Sequence, residues 1–147
     1  MIKNYLYIDC TVYNYNGTVF LLSLKSRSPY VVKFASYFLN ILFSNGIVII
    51  TDGKQGAYAY DGDYYYHCGE FPAVVVSTLG AGDAFASTLV ATILRKDNDL
   101  VKALEYASVQ AASVVENFGA QSGFLSFEEI DRKLKANPYF KVHKIKD

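Results

Sequence analysis

From Ile47 to Ile50 the chain reads Ile, Val, Ile, Ile with no polar interruption, and it then closes on Thr51, Asp52 and Gly53. A short continuous apolar run of this kind suits a strand buried on both faces in a layered α/β protein. Upstream, Tyr5 to Leu24 alternates β-branched and aromatic residues about Asn16 and Gly17, a pair that tolerates positive φ. That pattern predicts a hairpin. Val31, Phe34, Phe38 and Leu42 recur at helical spacing and predict a helix over Tyr30 to Phe43, which Pro29 can open. A second aromatic hairpin is expected where Asp61 and Gly62 divide AYAY from YYYH, and a further strand at Ala73 to Ser77.

Beyond the valines the period changes from two to about four. Phe85, Leu89 and Ile93 share one helical face, with Arg95 and Lys96 placed to complement its C-terminal end. Asp99 is a fitting N-cap for a second, alanine-rich helix through Leu100, Leu104, Ala107, Ala111 and Val114 to Gly119. Ser126 and Glu129 form a capping box for a last short helix that must stop before Pro138. No repeat or low-complexity linker interrupts the series, so residues 1–147 are expected to form a single domain.

Composition narrows the partners. With 52% apolar residues in 147, one sizeable core can be buried. Lys and Arg number 14 and so do Asp and Glu, so no overall field draws the chain to nucleic acid or to an anionic membrane, and neither is an expected partner. No run approaches the roughly 18 apolar residues of a membrane span, and MIKNYLYIDC lacks the apolar stretch of a signal peptide, which together point to the cytoplasm. Cys10 and Cys68 are too isolated for a disulfide framework, and His67 beside Cys68 lacks a second ligand pair, so no protein-held metal is expected. The tyrosines Tyr64 to Tyr66 suit hairpin packing more simply than a partner or lid surface.

The chemistry concentrates at STLGAGDAF, Ser77 to Phe85. A strand, then Gly80, Ala81 and Gly82, then a helix, leaves backbone N–H groups unpaired at a helix N-terminus, where the dipole adds roughly half a positive charge. Asp83 in the first turn reads in two ways, as a helix cap or as an acceptor for a proton. A carboxylate beside an anion cradle makes chemical sense when the anion is a phosphoryl group in transfer and the acid serves the incoming hydroxyl. The run is not a Walker A loop, since no lysine follows Gly82, and not a dinucleotide fingerprint, since Phe85 stands where a third glycine is needed.

In context, VVVSTLGAGDAF resembles the C-terminal signature of the PfkB, or ribokinase-like, carbohydrate kinase family. VIITDGKQGAYAY is similar to that family's strand and Thr-x-Gly-x-x-Gly loop, in Thr51, Gly53 and Gly56, and ALEYASVQAASVVENFGAQSG to its alanine-rich helix and following loop. The likeness covers residues 46–130, the part that resembles the nucleotide-binding and catalytic half of such kinases. It implies a three-layer α/β/α fold, shortened here, with hairpin strands. It implies ATP over Thr51, Gly53, Gly56, Ser108 and Gly119, its γ-phosphate at Gly80, Ala81 and Gly82, Asp83 as catalytic base, and Mg²⁺ carried with the nucleotide. The acceptor would be a small alcohol, a sugar or nucleoside.

The departures matter as well. Ser77 replaces the aspartate that in the family helps hold a monovalent cation, which leaves potassium activation without its carboxylate. Thr88 stands where a glycine is common, and Ser108 where an asparagine is. Asp9 resembles in type the family aspartate that binds acceptor hydroxyls, although an aspartate at a strand edge is commonplace. Family members are about twice as long, and the sugar-binding half is the part not recognised here. A kinase is therefore the first expectation; a non-catalytic nucleotide-binding module, or a fragment completed by another chain or a paired copy as a homo-oligomer, is the alternative.

Overall fold

The structure is a computed structural model, and it describes residues 10–14, 18–23, 47–95, 99–119 and 122–145. The predicted helix over Tyr30 to Phe43 and the candidate Asp9 lie outside the described residues. Two compact units divide the chain: Met1–His67 together with His143–Asp147, and Cys68–Val142.

Among the described residues, one mixed sheet holds six strands in sequence order: β1 (Cys10–Asn14), β2 (Thr18–Ser23), β3 (Ile47–Thr51), β4 (Ala57–Tyr60), β5 (Tyr65–Cys68) and β6 (Val142–Ile145). The hairpin expected about Asn16 and Gly17 is present as an antiparallel β1–β2 pair with Asn14 opposite Thr18; the turn residues 15–17 are outside the described set. β3 runs parallel to β2, with Val19 opposite Ile47, and antiparallel to β4, with Thr51 opposite Ala57. Val48, Ile49 and Ile50 are fully buried, as the uninterrupted apolar run requires.

The β4–β5 connection is organised by one carboxylate. Asp61 Oδ1 accepts from the amides of Asp63 and Tyr64 at 2.9 and 2.8 Å, and its Oδ2 accepts from the Tyr66 hydroxyl at 2.7 Å. This is the turn chemistry that favours Asp at such a corner. Burial alone would push Asp61 up, but the hydrogen bonds from Tyr66, Tyr64 and Asp63, with the charge of Lys144, outweigh it and hold the carboxyl below its ordinary range. Tyr60 stacks on Tyr65 at 4.4 Å, and Lys144 Nζ lies 3.3 Å from the Tyr64 ring centroid, so these tyrosines pack within their own unit.

The second unit contains three helices: α1 (Ala81–Arg95), α2 (Leu100–Val115) and α3 (Phe127–Ala136). Asp99 caps α2 by accepting from the Lys102 amide at 2.9 Å, and the Ser126–Glu129 capping box opens α3 in both directions. α1 packs along α2, and α2 against α3. Phe71, Tyr106, Val109, Ala112 and Ile130 form a core with Phe127, Leu134 and Phe140 at its margin. Full burial of one such side chain contributes about 1.5–3 kcal/mol. The Tyr106 hydroxyl reaches the Asp131 carboxylate, joining α2 to α3 by a polar contact as well.

One expected strand is absent. Ala73–Ser77 carries no regular structure and bends at Val76. Its amides are satisfied by a helix end in place of a ladder: Val76 and Ser77 both donate to Val115 O, at 2.8 and 3.1 Å. The valine side chains are left outward, with Val74 77% and Val75 49% exposed.

Candidate active site

The glycine junction opens α1. The Ala81 amide makes a long 3.4 Å contact with Thr78 O, and the Ala84 amide donates to Gly80 O at 2.9 Å, the first regular helical bond. Between them lie the amides of Gly82 and Asp83, in the first turn, where a helix offers them no internal acceptor. Gly80 has φ 82°, a conformation a Cβ resists, and it swings the chain from the valine segment into the helix. A Cβ added at Gly82 would meet no atom within 4 Å, so the side-chain position there is uncrowded. Asp83 is exposed in the same turn.

Such a turn can do two things. Its free amides and the helix dipole can hold a phosphoryl group, and the carboxylate beside them can accept a proton. Ser77 is half-buried and its Oγ accepts from the Leu79 amide at 3.3 Å, tightening the approach to Gly80. Thr88, where a glycine was expected from the resemblance, is buried on α1, and its carbonyl accepts from Thr92 Oγ1 at 2.7 Å.

Two further candidates lie on this unit. Gly119 is exposed just after α2, with φ 94°. Ser108 is 7% exposed inside α2, and its hydroxyl stands 3.2 Å from Cys68 Sγ. Burial pushes the Cys68 thiol up to about 11, although the Ser108 hydrogen bond pulls the other way. Ser108 thus meets a protonated thiol in the interior of its unit.

Thr51, Gly53 and Gly56 belong to the other unit, at the end of β3. The chain there closes a single 3₁₀ turn over Gly53–Gln55: Gln55 N donates to Asp52 O at 2.9 Å, Gly56 N to Gly53 O at 3.0 Å, and Asp52 N to Gly56 O at 2.8 Å. His67 Nε2 donates to Gln55 O at 2.8 Å and its ring lies 4.6 Å from that of Tyr58. The sequence presents His67 only as a neighbour of Cys68 without a ligand pair; its hold on this turn depends on the β4–β5 pairing, which no local signal reveals. Burial raises the pKa of Asp52. Among the described residues no group of three or more His, Cys, Asp and Glu side chains stands together.

Solved structures of the ribokinase-like class share the fold in which this glycine bend sits. Aminoimidazole riboside kinase from Salmonella enterica, solved with aminoimidazole riboside and an ATP analogue, superimposes with TM-score 0.60 and 29% identity over 69% of this chain and 35% of that one. The chain belongs to the pfkB family of carbohydrate kinases, whose pattern matches residues 36–126. A 5-dehydro-2-deoxygluconokinase of Clostridium botulinum (strain Eklund 17B / Type B) is 35% identical over 94 residues, 63% of this chain and 27% of that protein. A ribokinase of Staphylococcus aureus (strain COL) is 28% identical over 126 residues, 85% of this chain and 41% of that protein. The chain thus spans less than half the length of these relatives.

Proposed function

We propose that this chain carries the phosphate-handling half of an ATP-dependent kinase acting on a hydroxyl of a sugar or nucleoside. The observation that supports it most is the open first turn of α1, with Gly82 uncrowded and Asp83 exposed next to it. In this reading Asp83 takes the proton of the acceptor hydroxyl as that oxygen bonds to the γ-phosphorus and the bond from phosphorus to the β-phosphate oxygen breaks, releasing ADP. The loop Gly80, Ala81 and Gly82, chiefly through the amides of Gly82 and Asp83 that lack an internal acceptor, stabilises charge on the transferring group. Thr51, Gly53, Gly56 and Gly119 are the proposed contacts for the rest of the nucleotide; Lys54, exposed at the tip of the 3₁₀ turn, is a candidate for its β-phosphate. Ser108, turned to Cys68, is left out of that set.

Mg²⁺ would supply charge neutralisation between phosphate oxygens, held mainly by the nucleotide and water. The relatives' names support a sugar or riboside as acceptor, and the cytoplasm, where ATP is abundant, is the proposed location. Asp83→Asn tests the reading: turnover should fall about 10²–10⁴-fold, with binding of a non-hydrolysable ATP analogue retained. Unchanged turnover at saturating ATP and acceptor would remove Asp83 as base.

A second reading has its own support. Val74, Val75, Val76 and Leu79 are outward-facing apolar side chains immediately before the glycine bend. Together with the share of the relatives that the chain spans, they favour a nucleotide-binding piece whose acceptor-binding half comes from further polypeptide or a paired copy. Analogue binding in calorimetry without product from a panel of sugars and nucleosides would select this reading.

A further inference from the structure

The C-terminal turn of α2 holds chain on two sides at once. On one side Val115 O accepts from the Val76 and Ser77 amides at 2.8 and 3.1 Å, and Glu116 Oε1 accepts from the Val74 amide at 3.3 Å. This fixes the segment that enters the phosphate loop three residues later, at Gly80. On the other side the chain leaving α2 folds back onto the same turn. Asn117 N donates to Val114 O at 3.1 Å, and its Nδ2 donates to Ser113 O at 2.9 Å. Gly123, with φ +85°, lies so close that a Cβ there would be 2.4 Å from Asn117 Nδ2 and 2.6 Å from Ser113 O. Leu125 N then donates to Gln110 Oε1 at 3.3 Å, one helical turn further back.

We propose that this last turn of α2 is a common anchor that sets the Gly80–Asp83 loop and the Gly119 loop in one fixed relation, with Asn117 and Gly123 as positioning residues for nucleotide binding. The inference rests on the proposed function in that both loops serve the nucleotide. The physical argument concerns what can yield. Ser113 O is backbone inside a helix, so a side chain at residue 123 cannot be accommodated by a rotamer change. Either the returning loop lifts or the helical turn shifts. The turn carries Val115 O with it, and the displacement then reaches Val76 and Ser77. Asn117 completes the contact by spending its amide on Ser113 O, which presents a flat face to Gly123.

The test compares Gly123→Ala, Asn117→Ala and Asn117→Asp with the parent protein and with Gly69→Ala, whose added methyl would meet nothing within 4 Å. Two quantities are read: steady-state kinetics with ATP varied, and hydrogen exchange at the Val76 and Ser77 amides. Gly123→Ala should raise the KM for ATP about tenfold, since small misplacements of positioning groups have effects of this order or larger, and lower kcat by less than that, because the shift reaches Gly80–Asp83 only through Val76 and Ser77. It should also speed exchange at Val76 and Ser77. The Asn117 variants should move both quantities in the same direction by less, and Gly69→Ala neither.

A folded Gly123→Ala protein with the parent's KM and the parent's exchange rates overturns the anchor. So does a fall in kcat alone. If Gly123→Ala does not fold, the Asn117 variants decide, since they add no atom to the packed contact: unchanged KM and exchange in both overturns the proposal. If the parent protein binds no ATP, the proposed function falls and the anchor is judged on exchange, faster in Asn117→Ala supporting it and unchanged overturning it.

Discussion

The two glycine turns of this chain look alike on paper and differ in what they leave free. At Gly53–Gly56 the backbone folds into a 3₁₀ turn that uses three of its amides within itself: Gln55 and Gly56 donate back to Asp52 and Gly53, and Asp52 donates to Gly56. Its side is further fastened by His67 on Gln55 O. At Gly80–Asp83 the chain passes directly into a helix, and the amides of Gly82 and Asp83 stay without an internal acceptor. A turn that satisfies itself can offer shape to a ligand; a turn that opens a helix can offer charge. The proposed phosphoryl transfer draws on the second.

Breaking the second turn should therefore have the largest effect. Gly80→Ala forces a Cβ into φ 82° and should tilt the first helical turn, lowering turnover about 10²-fold by analogy with loss of one oxyanion donor. The matched change Gly53→Ala, at φ 50° with no atom within 4 Å of the added Cβ, carries a local backbone cost of roughly 1–2 kcal/mol that falls on stability and on the KM for ATP, and should leave kcat at saturating ATP within about threefold. Equal losses in the two variants would erase the distinction drawn between the turns.

Next in size is the corner that supports the self-satisfied side. Asp61→Ala removes three hydrogen bonds and should destabilise its unit by about 1–2 kcal/mol in chemical denaturation. The folded pKa of Asp61 is depressed, so its contribution is complete above the unfolded carboxylate value of about 3.9 and is lost as pH falls through the lower folded value. The gap between parent and variant should accordingly be constant at neutral pH and close in strong acid. The smallest effect is chemical: Cys68, buried and held protonated beside Ser108, should resist alkylation until the second unit unfolds, as peptide mapping after brief iodoacetamide treatment would show.

Much of this was legible along the chain wherever the signal was local. The Asp99 cap and the Ser126–Glu129 box announce helix starts because the side chain bonds within its own first turn. Asp61–Gly62 likewise announces its turn, Asn16–Gly17 announces the β1–β2 pairing, and the glycine bend before α1 was readable for the same reason. Ala73–Ser77 misleads because β-branched residues favour a pleated surface only when a neighbouring strand supplies the ladder; here Val115 O takes the amides. β6 was missed because Val142–Ile145 includes His143 and Lys144 and is largely exposed, a composition that guards sheet edges and hides the strand. Ser108 meets Cys68 across 40 residues, and the tightness at Gly123 exists only once the loop has folded back, so neither could be read from spacing.

The central claim is that the amides opening α1 receive the terminal phosphate of ATP. Backbone amide NMR of the ¹⁵N-labelled protein, titrated in parallel with a non-hydrolysable ATP analogue and with ADP, addresses it directly. The account predicts that the analogue shifts Gly80, Ala81, Gly82 and Asp83 well beyond any change at the α3 amides Phe127–Ala136, and that ADP shifts these four far less. Saturable binding of both nucleotides with those four resonances unmoved would contradict it.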